Sequence, residues 1–298
     1  MQETSYSYQI IIADDCSDDK TLEIVKEYQQ KYPDKILLLT SATNQKLYKN
    51  VLRAYKTMKT EYFCVLDPDD FWIDKNKIQK ALDFLNKHKE YTIYVTDTLI
   101  QLPNGNRKSF IRRRKIKDST FADFLNSKAC LGCTLGSVYR NIVFKTDFFE
   151  KMEKFSSNTK EQSFRADTFR NIIHLQKGKA HCVPVFDAVY RSTTDGLWQG
   201  ITEIEKNVLN ANIFKDMWLF FDKQYSELLG LSYKIYGRIK IDVIESLISL
   251  NDYKANSLLT NILDLNRIYK ENSAILKFYP IKKLEILKYR VKRFLNNK

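Results

Sequence analysis

Long apolar runs and a secretory leader are both missing from this chain of 298 residues. No apolar stretch approaches the ~20 residues that a helix needs to span a bilayer. No charged and then apolar leader opens the chain, so nothing in it indicates secretion. Internal repeats and low-complexity segments are also missing. The length suits one large domain or a domain with an appendage, and a hydrophobic content of 44% allows a substantial core.

Cysteines are few, and their number is odd: Cys16, Cys64, Cys130, Cys133 and Cys182. In a chain of this length without a signal peptide, this usage predicts reduced thiols in the cytosol. Cys130 and Cys133 form a single C-x-x-C. Without a second such pair or paired histidines, that spacing is poor for zinc, and we interpret the two as structural thiols.

Acidic residues are outnumbered, with 36 Asp and Glu against 49 Lys and Arg and a formal net charge of +13. This charge predicts an anionic partner. Nucleic acid, an anionic membrane surface and nucleotide substrates all qualify, and the charge by itself does not choose among them.

An apolar run at residues 62–66 is followed at once by Asp67, Asp69 and Asp70. The run predicts a strand buried on both faces, and Pro68 cannot continue it. The three carboxylates therefore follow the carboxyl end of a buried strand. In open α/β sheets, ligands bind at that end of the strands.

Three acids within four residues repel one another. Two carboxylates about 5 Å apart cost roughly 3 kcal/mol at an effective dielectric constant of about 20. Solvation, protonation or a bound cation can relieve this cost, and Mg²⁺ and Mn²⁺ commonly share carboxylates with substrate phosphates. The alternative is a solvated turn with Asp70 near the start of a helix, since Asp-x-Asp alone is a weak pattern. The buried strand before the acids favours the cation.

A second acidic strand end supports the same interpretation. Residues 8–13 predict a buried strand that ends at Asp14 and Asp15. Ser17 or Asp18 is expected to cap the helix that follows. Capping does not account for Asp14 and Asp15, whose carboxylates at the strand end can accept the N–H of a pyrimidine base.

Strands and helices alternate along the rest of the first two-thirds, which predicts a mainly parallel, doubly wound α/β sheet flanked by helices. The further predicted elements are helices at 22–32, 46–58, 78–85 and 169–175, strands at 36–39, 91–95 and 181–190, and a hairpin at 98–111 that turns at Asn104–Gly105. Asp167 lies near the start of the helix at 169–175. Taken alone, it is more readily explained as an N-cap or first-turn acid than as a catalytic residue.

Three blocks, at residues 10–19, 62–72 and 165–191, together resemble a family 2 glycosyltransferase of the GT-A fold, the bacterial cell-surface polysaccharide type. They are similar to the family's nucleotide-binding strand, its Asp-x-Asp strand, and its catalytic-base helix with the closing strand. The resemblance implies a GT-A (Rossmann-like) domain over residues 1–204, followed by a basic helical region over 205–298.

The resemblance also implies a reaction: transfer of one sugar, with inversion, from a nucleotide-sugar donor to a saccharide or lipid-linked saccharide acceptor. UDP is the expected nucleotide. The implied roles are nucleotide binding by Asp14, Asp15, Asp67 and Arg191, binding of divalent Mn or Mg by Asp69 and Asp70, general-base catalysis by Asp167, and acceptor contact by Trp198.

Two features of the family pattern are missing. The Gln-x-x-Arg-Trp motif of processive members does not occur, so a single transfer is expected. The family's opening strand, which lies between the strands at 8–13 and 62–66, also does not occur. Its loss would leave a gap in the sheet at that place, with unpaired backbone groups on both neighbours. Three alternatives follow: the start of the sequence is wrongly chosen, the fold closes up, or activity is impaired.

From about Glu203 the strand pattern gives way to aromatic-rich helical segments at 208–221 and 239–250, whose aromatic stripe is typical of a core. Residues 277–298 carry eight Lys or Arg against one Glu, interleaved with apolar positions. This segment suits either an anionic membrane surface or a solvated helix docked on the protein. A cytoplasmic protein, peripheral on the inner membrane face in the first case, is expected.

Three functional hypotheses therefore compete: a metal-dependent glycosyltransferase, a basic module that binds membrane or nucleic acid, and a truncated, inactive transferase that acts as a scaffold. The acidic strand ends argue against nucleic acid, because a protein that binds phosphate backbones would not place carboxylates in its cleft. We expect no nucleic-acid partner.

Overall fold

The computed structural model describes residues 2–111, 115–142, 149–150, 166–193, 200–247 and 252–279. These residues fall into two compact units, of which the first ends at Ser192 and the second begins at Thr193. The first unit contains the described strands, and the second is helical. The domain boundary predicted between residues 204 and 205 lies further along the chain.

A small parallel sheet opens the first unit. Strands β1 (Ile10–Ala13) and β2 (Ile36–Leu39) pair along their whole length, with Ile10 opposite Ile36. Helix α1 (Thr21–Lys31) connects them and contacts β2, while α2 (Lys46–Thr57) follows and contacts β1. These elements agree with the predicted strand–helix alternation.

A larger mixed sheet forms the rest of the first unit. Its strands are β3 (Tyr62–Cys64), β4 (Phe71–Trp72), β5 (Tyr91–Gln101), β6 (Arg107–Ser109), β7 (Lys117–Ser119), β8 (Ser137–Arg140) and β9 (Lys179–Arg191). The order is β3-β8-β5-β9-β4, with β6 paired to β5 and β7 to β9. The long β5–β9 ladder is parallel, and the ladders made by β3, β4, β6, β7 and β8 are antiparallel.

The predicted α/β class, a sheet flanked by helices and followed by a helical C-terminal region, is confirmed. The hairpin is confirmed as well, because β5 and β6 pair antiparallel and Gly105 turns between them with a φ of 82°. The prediction for residues 62–66 needs correction: β3 ends at Cys64, and Leu66 is 42% exposed. In this strand Phe63 is buried, whereas its two neighbours are half-buried.

Within the described chain, the two sheets are not joined by a ladder. Strand β1 pairs with β2, and β3 pairs with β8, and neither has a second partner strand among the described residues. This agrees with the gap that we expected between these strands.

Two helices cover opposite faces of the larger sheet. Helix α3 (Lys77–Lys87) packs Ala81 and Leu85 into a cluster with Val138 of β8. The next residue, Tyr139, points to the other face, since side chains alternate along a strand. There its ring stacks on Phe63 at 5.1 Å and lies 4.9 Å from the ring of His174 in α5 (Ala166–Leu175). The short helix α4 (Phe121–Leu125) precedes β8.

The second unit consists of α6 (Glu203–Phe220), α7 (Ser226–Leu247), α8 (Asp252–Glu271) and α9 (Ser273–Leu276). Its aromatic side chains are core, as predicted: the Tyr236 and Tyr269 rings lie 4.8 Å apart, and Trp218 is 1% exposed. Among the described residues, no helix combines the length and apolar character that crossing a membrane requires. The predicted basic tail at 277–298 lies outside the described residues from 280 onward.

Candidate functional site

The acidic turn, residues 67–70, connects β3 to β4. Strand β3 has already ended at Cys64, and the Asp70 N–H closes the turn by donating to the Asp67 carbonyl at 3.0 Å. Strand β4 then pairs antiparallel with β9, with Phe71 opposite Val189. The turn is therefore held beside the carboxyl end of β9.

Asp70 is the buried carboxylate of this turn. Its Oδ1 accepts the backbone N–H of Arg191 at 2.9 Å, and its Oδ2 is buried without a hydrogen-bond partner. The pKa of Asp70 is raised to about 6, first by burial and also by the charges of Asp69 and Asp67, although the hydrogen bond from the Arg191 N–H opposes the shift. An unpartnered buried oxygen beside two further acids suits a cationic ligand.

Asp67 and Asp69 are exposed. Desolvation by the surrounding protein atoms raises the pKa of Asp67, and the Asp69 charge raises it as well. Part of the Asp67 side chain is nevertheless exposed to solvent. The Arg191 side chain donates from Nε to the Asp69 carbonyl and lies 6.0 Å from the centre of the Phe71 ring. The turn thus presents carboxylates and a guanidinium on one surface.

The donor set fits a divalent cation only in part. Across the described ranges, no three His, Cys, Asp or Glu side chains surround a common metal position. Mg²⁺ usually takes one or two protein carboxylates and completes its shell with phosphates and water. Asp69 and Asp70, with the unpartnered Oδ2, match that smaller requirement.

Asp14, at the end of β1, closes a turn. Its carboxylate accepts the Ser17 hydroxyl at 2.5 Å and the Cys16 N–H at 3.2 Å. The prediction that Ser17 or Asp18 caps α1 is therefore wrong. The helix begins at Thr21, with Lys20 at the N-cap position and no side-chain cap.

Asp15 and α2 are joined directly. The Asp15 Oδ1 accepts the N–H of Gln45, the residue before α2, at 2.7 Å. From α2, the Asn50 amide donates to the Ala13 carbonyl at 2.7 Å and the Arg53 guanidinium to the Asp14 carbonyl at 2.9 Å. Sequence reasoning identified α2 only as a basic helix, whereas its polar side chains hold the β1 end in place.

Asp167 lies in the first turn of α5 and is exposed. Its Oδ1 accepts the Thr168 N–H at 2.7 Å. Its charge contributes to the raised pKa of Asp67. The pKa of Cys133 is raised to about 12, first by burial, then by the Asp70 charge and, less, by Asp167. The charge of Asp167 therefore acts on both the acidic turn and Cys133.

The other predicted site residues are placed differently. The hydrogen bonds of Asp14 and Asp15 join them to the β1 turn and α2, not to the acidic turn. Trp198 lies outside the described residues. The structure thus brings together Asp67, Asp69, Asp70, Asp167 and Arg191.

A buried ion pair beside the acidic turn was missed by sequence reasoning. The Lys77 Nζ lies 2.9 Å from both carboxylate oxygens of Asp187 and 3.1 Å from the Thr96 hydroxyl. Both charged side chains are almost fully buried. The spacing of the helix could have indicated that Lys77 is buried. Lys77 precedes Ala81 by four residues and Leu85 by eight, which places it on the buried face of α3.

Arg170 was also missed. It is 1% exposed, it donates from Nη1 to the Tyr55 hydroxyl at 2.6 Å, and its guanidinium lies 5.0 Å from the centre of the Tyr139 ring. Its Nε and Nη2 have no hydrogen-bond partner. The positive charge lowers the pKa of Asp67, opposing the neighbouring acids. A buried cation therefore lies near the acidic turn.

Known proteins share parts of this sequence. The uncharacterized protein Rv1520 of Mycobacterium tuberculosis is 23% identical over 197 residues, 66% of this chain and 54% of its own length. The dTDP-rhamnosyl transferase RfbG of Shigella flexneri is 31% identical over 164 residues, 54% of this chain and 53% of its own length. This chain spans about half the length of these two relatives.

Solved structures give weaker likenesses. Staphylococcus aureus TarS 1–349 in complex with UDP is 14% identical, with a TM-score of 0.46, over 90% of this chain and 85% of that chain. The mannosyltransferase PcManGT from Pyrobaculum calidifontis in complex with GDP-Man and Mn²⁺ is 13% identical, with a TM-score of 0.47, over 95% and 80%. At such scores these likenesses say nothing about function.

A family profile provides the firmer match. Glycosyl transferase family 2 matches residues 1–148, which include the acidic end of β1 and the acidic turn. The resemblance seen in the sequence blocks is confirmed. This chain therefore belongs, through residues 1–148, to glycosyl transferase family 2.

Proposed function

We propose that this protein is an inverting, metal-dependent, non-processive glycosyltransferase. It moves a sugar from a nucleotide-sugar donor to a hydroxyl of a saccharide or lipid-linked saccharide acceptor in cell-surface polysaccharide synthesis. The observation that carries the proposal is Asp70: a buried carboxylate with an unpartnered oxygen, next to two further acids and Arg191 in a family 2 domain.

The donor nucleotide is a pyrimidine diphosphate, with UDP as the first candidate. The relative named as a dTDP-rhamnosyl transferase supports a pyrimidine base. Asp15 accepts the N–H of the base through the oxygen that does not bind Gln45, and Asp14 supports it by holding the turn at the end of β1. The Arg191 guanidinium pairs with the negatively charged diphosphate. The Asp67 carboxylate accepts hydrogen bonds from hydroxyl groups of the nucleotide sugar.

Asp69 and Asp70 hold the divalent cation, Mn or Mg. When bound, the cation offsets negative charge on the diphosphate leaving group. Burial of Asp70 strengthens its attraction to a cation, because water screens the charge less there. The Arg191 N–H fixes the direction of the Asp70 carboxylate and leaves Oδ2 for the ligand.

Asp167 acts as the general base. It takes the proton of the acceptor hydroxyl while the new bond to the anomeric carbon forms and the bond to the diphosphate oxygen breaks. One such in-line displacement inverts the anomeric carbon. The exposure of Asp167 leaves it accessible to an acceptor, and Trp198 is retained as the proposed acceptor contact.

The same proposal includes the location and the chain layout. A catalytic domain over 1–204 is followed by a basic helical region over 205–298, and residues 277–298 attach a cytoplasmic enzyme to the anionic inner face of the membrane. Nucleic acid is not a partner, since the acidic turn repels phosphate backbones.

Calorimetry with UDP tests the proposal. Binding should require Mn²⁺, and Asp69→Asn should weaken the Mn²⁺-dependent binding at least about tenfold, because one of two cation-binding carboxylates is lost. Asp34→Asn, which changes an exposed acid after α1, is the matched control and should bind as the unmodified chain does. Equal UDP binding in EDTA would refute the metal role. If the chain binds UDP but neither hydrolyses nor transfers the sugar of any UDP-sugar, the hypothesis of an inactive scaffold is favoured instead.

A further inference from the structure

Two buried cysteines that are distant in sequence lie side by side in the first unit. The Sγ atoms of Cys130 and Cys182 are 2.8 Å apart. A disulfide bond is about 2.05 Å long, so the two sulfur atoms need to approach by less than about 1 Å to bond. Both residues are nearly inaccessible, at 3% and 2% exposure.

Strands β7 and β9 hold the two cysteines at this distance. Cys182 lies in β9 and is paired with Lys117 of β7 and Val95 of β5. The Cys130 N–H donates to the Ser119 hydroxyl at 2.8 Å, and Ser119 ends β7, opposite Ala180. The same β7–β9 ladder therefore positions both backbones.

The segment around Cys130 has little room to move. Before it, the N–H groups of Lys128 and Ala129 both donate to the Asp123 carbonyl, at 2.7 and 3.1 Å. After it, a Cβ on Gly132 would lie 2.7 Å from Val95 Cγ1 and 3.0 Å from the Thr96 carbonyl. Hydrogen bonds on one side and close packing on the other keep Cys130 against β9.

We propose that Cys130 and Cys182 are a site of reversible disulfide formation, oxidised by exchange with a small-molecule disulfide such as oxidised glutathione. This pairing differs from the C-x-x-C pairing that the sequence suggests, because the partner of Cys130 is 52 residues away instead of three. The site is separate from the proposed transfer reaction and does not depend on it.

The exchange balances in two steps. One cysteine thiolate attacks a sulfur of glutathione disulfide and releases one glutathione thiolate, which leaves a mixed disulfide. The second cysteine thiolate then attacks the protein sulfur and releases the second glutathione. Together the two protein thiols lose two electrons and two protons, and one glutathione disulfide becomes two thiols.

The bond would close a loop between Cys130 and Cys182, which are 52 residues apart. A crosslink of this span stabilises mainly by restricting the unfolded chain, provided that the native geometry accepts it without strain. For a unit of this size we expect a rise in melting temperature of roughly 5–15 °C. The acidic turn lies outside the bonded segments, so UDP binding should not change on oxidation.

Peptide mapping tests the pairing. The reduced, denatured full-length chain is refolded in a glutathione redox buffer, which removes any barrier from burial, and then acid-quenched, alkylated under denaturing conditions and digested with trypsin. We expect a crosslink between the peptide that holds Cys130 and the peptide that holds Cys182, with Cys16, Cys64 and Cys133 alkylated. Cys130 and Cys133 share one tryptic peptide, so a bond between them is distinguished directly. Alkylation of all five cysteines, or a dominant Cys130–Cys133 bond, would overturn the proposal.

Thermal denaturation tests the fit of the bond. The oxidised chain should melt above the reduced chain, and this difference should vanish in Cys130→Ala and persist in Cys133→Ala, the matched control three residues away. An oxidised chain that melts at or below the reduced chain would show that the fold does not accept the bond, which would also overturn the proposal.

Discussion

Lys77→Met should destabilise the first unit strongly, because it leaves the Asp187 charge buried without its partner. Methionine keeps the unbranched length of the side chain and removes only the ammonium group. That group donates to Asp187 and Thr96 in a site where Lys77 is 1% and Asp187 2% exposed. The pair joins the start of α3 to β9, four residues before Arg191.

The magnitude follows from burial and distance. At 2.9 Å and an effective dielectric constant of about 20, the attraction between the two charges is about 6 kcal/mol. Desolvation of both ions offsets much of this, so the intact pair contributes little net stability. Removing one partner keeps the desolvation cost of the other, and such changes cost about 3–5 kcal/mol.

Urea denaturation of Lys77→Met, Asp187→Asn and the double variant forms the test. Each single variant should lose about 3–5 kcal/mol of unfolding free energy. The double variant buries no charge at this place, so its loss should be clearly smaller than the sum of the two single losses. The sign and size of that difference measure the coupling between the two residues.

Lys80→Met is the matched control. Lys80 lies one turn further along the same helix and also pairs with an aspartate, Asp74, at 2.6 Å, but its side chain is 57% exposed. Exposed pairs contribute about 0–1 kcal/mol, so this variant should be nearly neutral. If Lys77→Met costs no more than Lys80→Met, or if the double variant shows additive losses, the reasoning about the buried pair is wrong.

Three further predictions concern catalysis, acid stability and the tail. Asp167→Asn should leave the melting temperature and UDP binding nearly unchanged, because Asp167 is exposed. Sugar transfer should fall roughly 10²–10⁴-fold, because the general base is lost. A large loss of stability with an unchanged rate per folded molecule would instead show that the role of Asp167 is structural. Burial lowers the pKa of His174 to about 3, so between pH 6.5 and 3 the unfolded chain binds a proton at this residue that the folded chain does not. Stability should therefore fall as the pH decreases below about 6.5, by up to ~1.4 kcal/mol per pH unit from this residue, and the urea–pH curve of His174→Gln should be shallower; parallel curves would contradict this. Deleting residues 277–298 should abolish salt-sensitive sedimentation with anionic vesicles and spare transfer to a soluble acceptor, whereas a lowered melting temperature in a chain that never bound vesicles would indicate a docked tail.

Local signals in the sequence predicted most element types and several boundaries. Asn104–Gly105 turned the predicted hairpin, because this pair acts on the backbone within a few residues. The acidic turn was predicted for the same reason, since its acids follow an apolar run directly. The predicted cap of α1 was wrong because the helix begins further along the chain, at Thr21, with Lys20 at the N-cap position.

Only the tertiary structure decided which distant residues meet. Strand β8 was not predicted, because four residues carry little periodic signal, yet it lies between β3 and β5 and turns both ladders antiparallel. Lys77 meets Asp187 across 110 residues, and Cys130 meets Cys182 across 52. The sequence shows that these side chains can form ion pairs or disulfide bonds, but it does not show which partner each one meets. The partners depend on strand order and register, which are set by packing of the whole sheet and not by the neighbouring residues in the sequence.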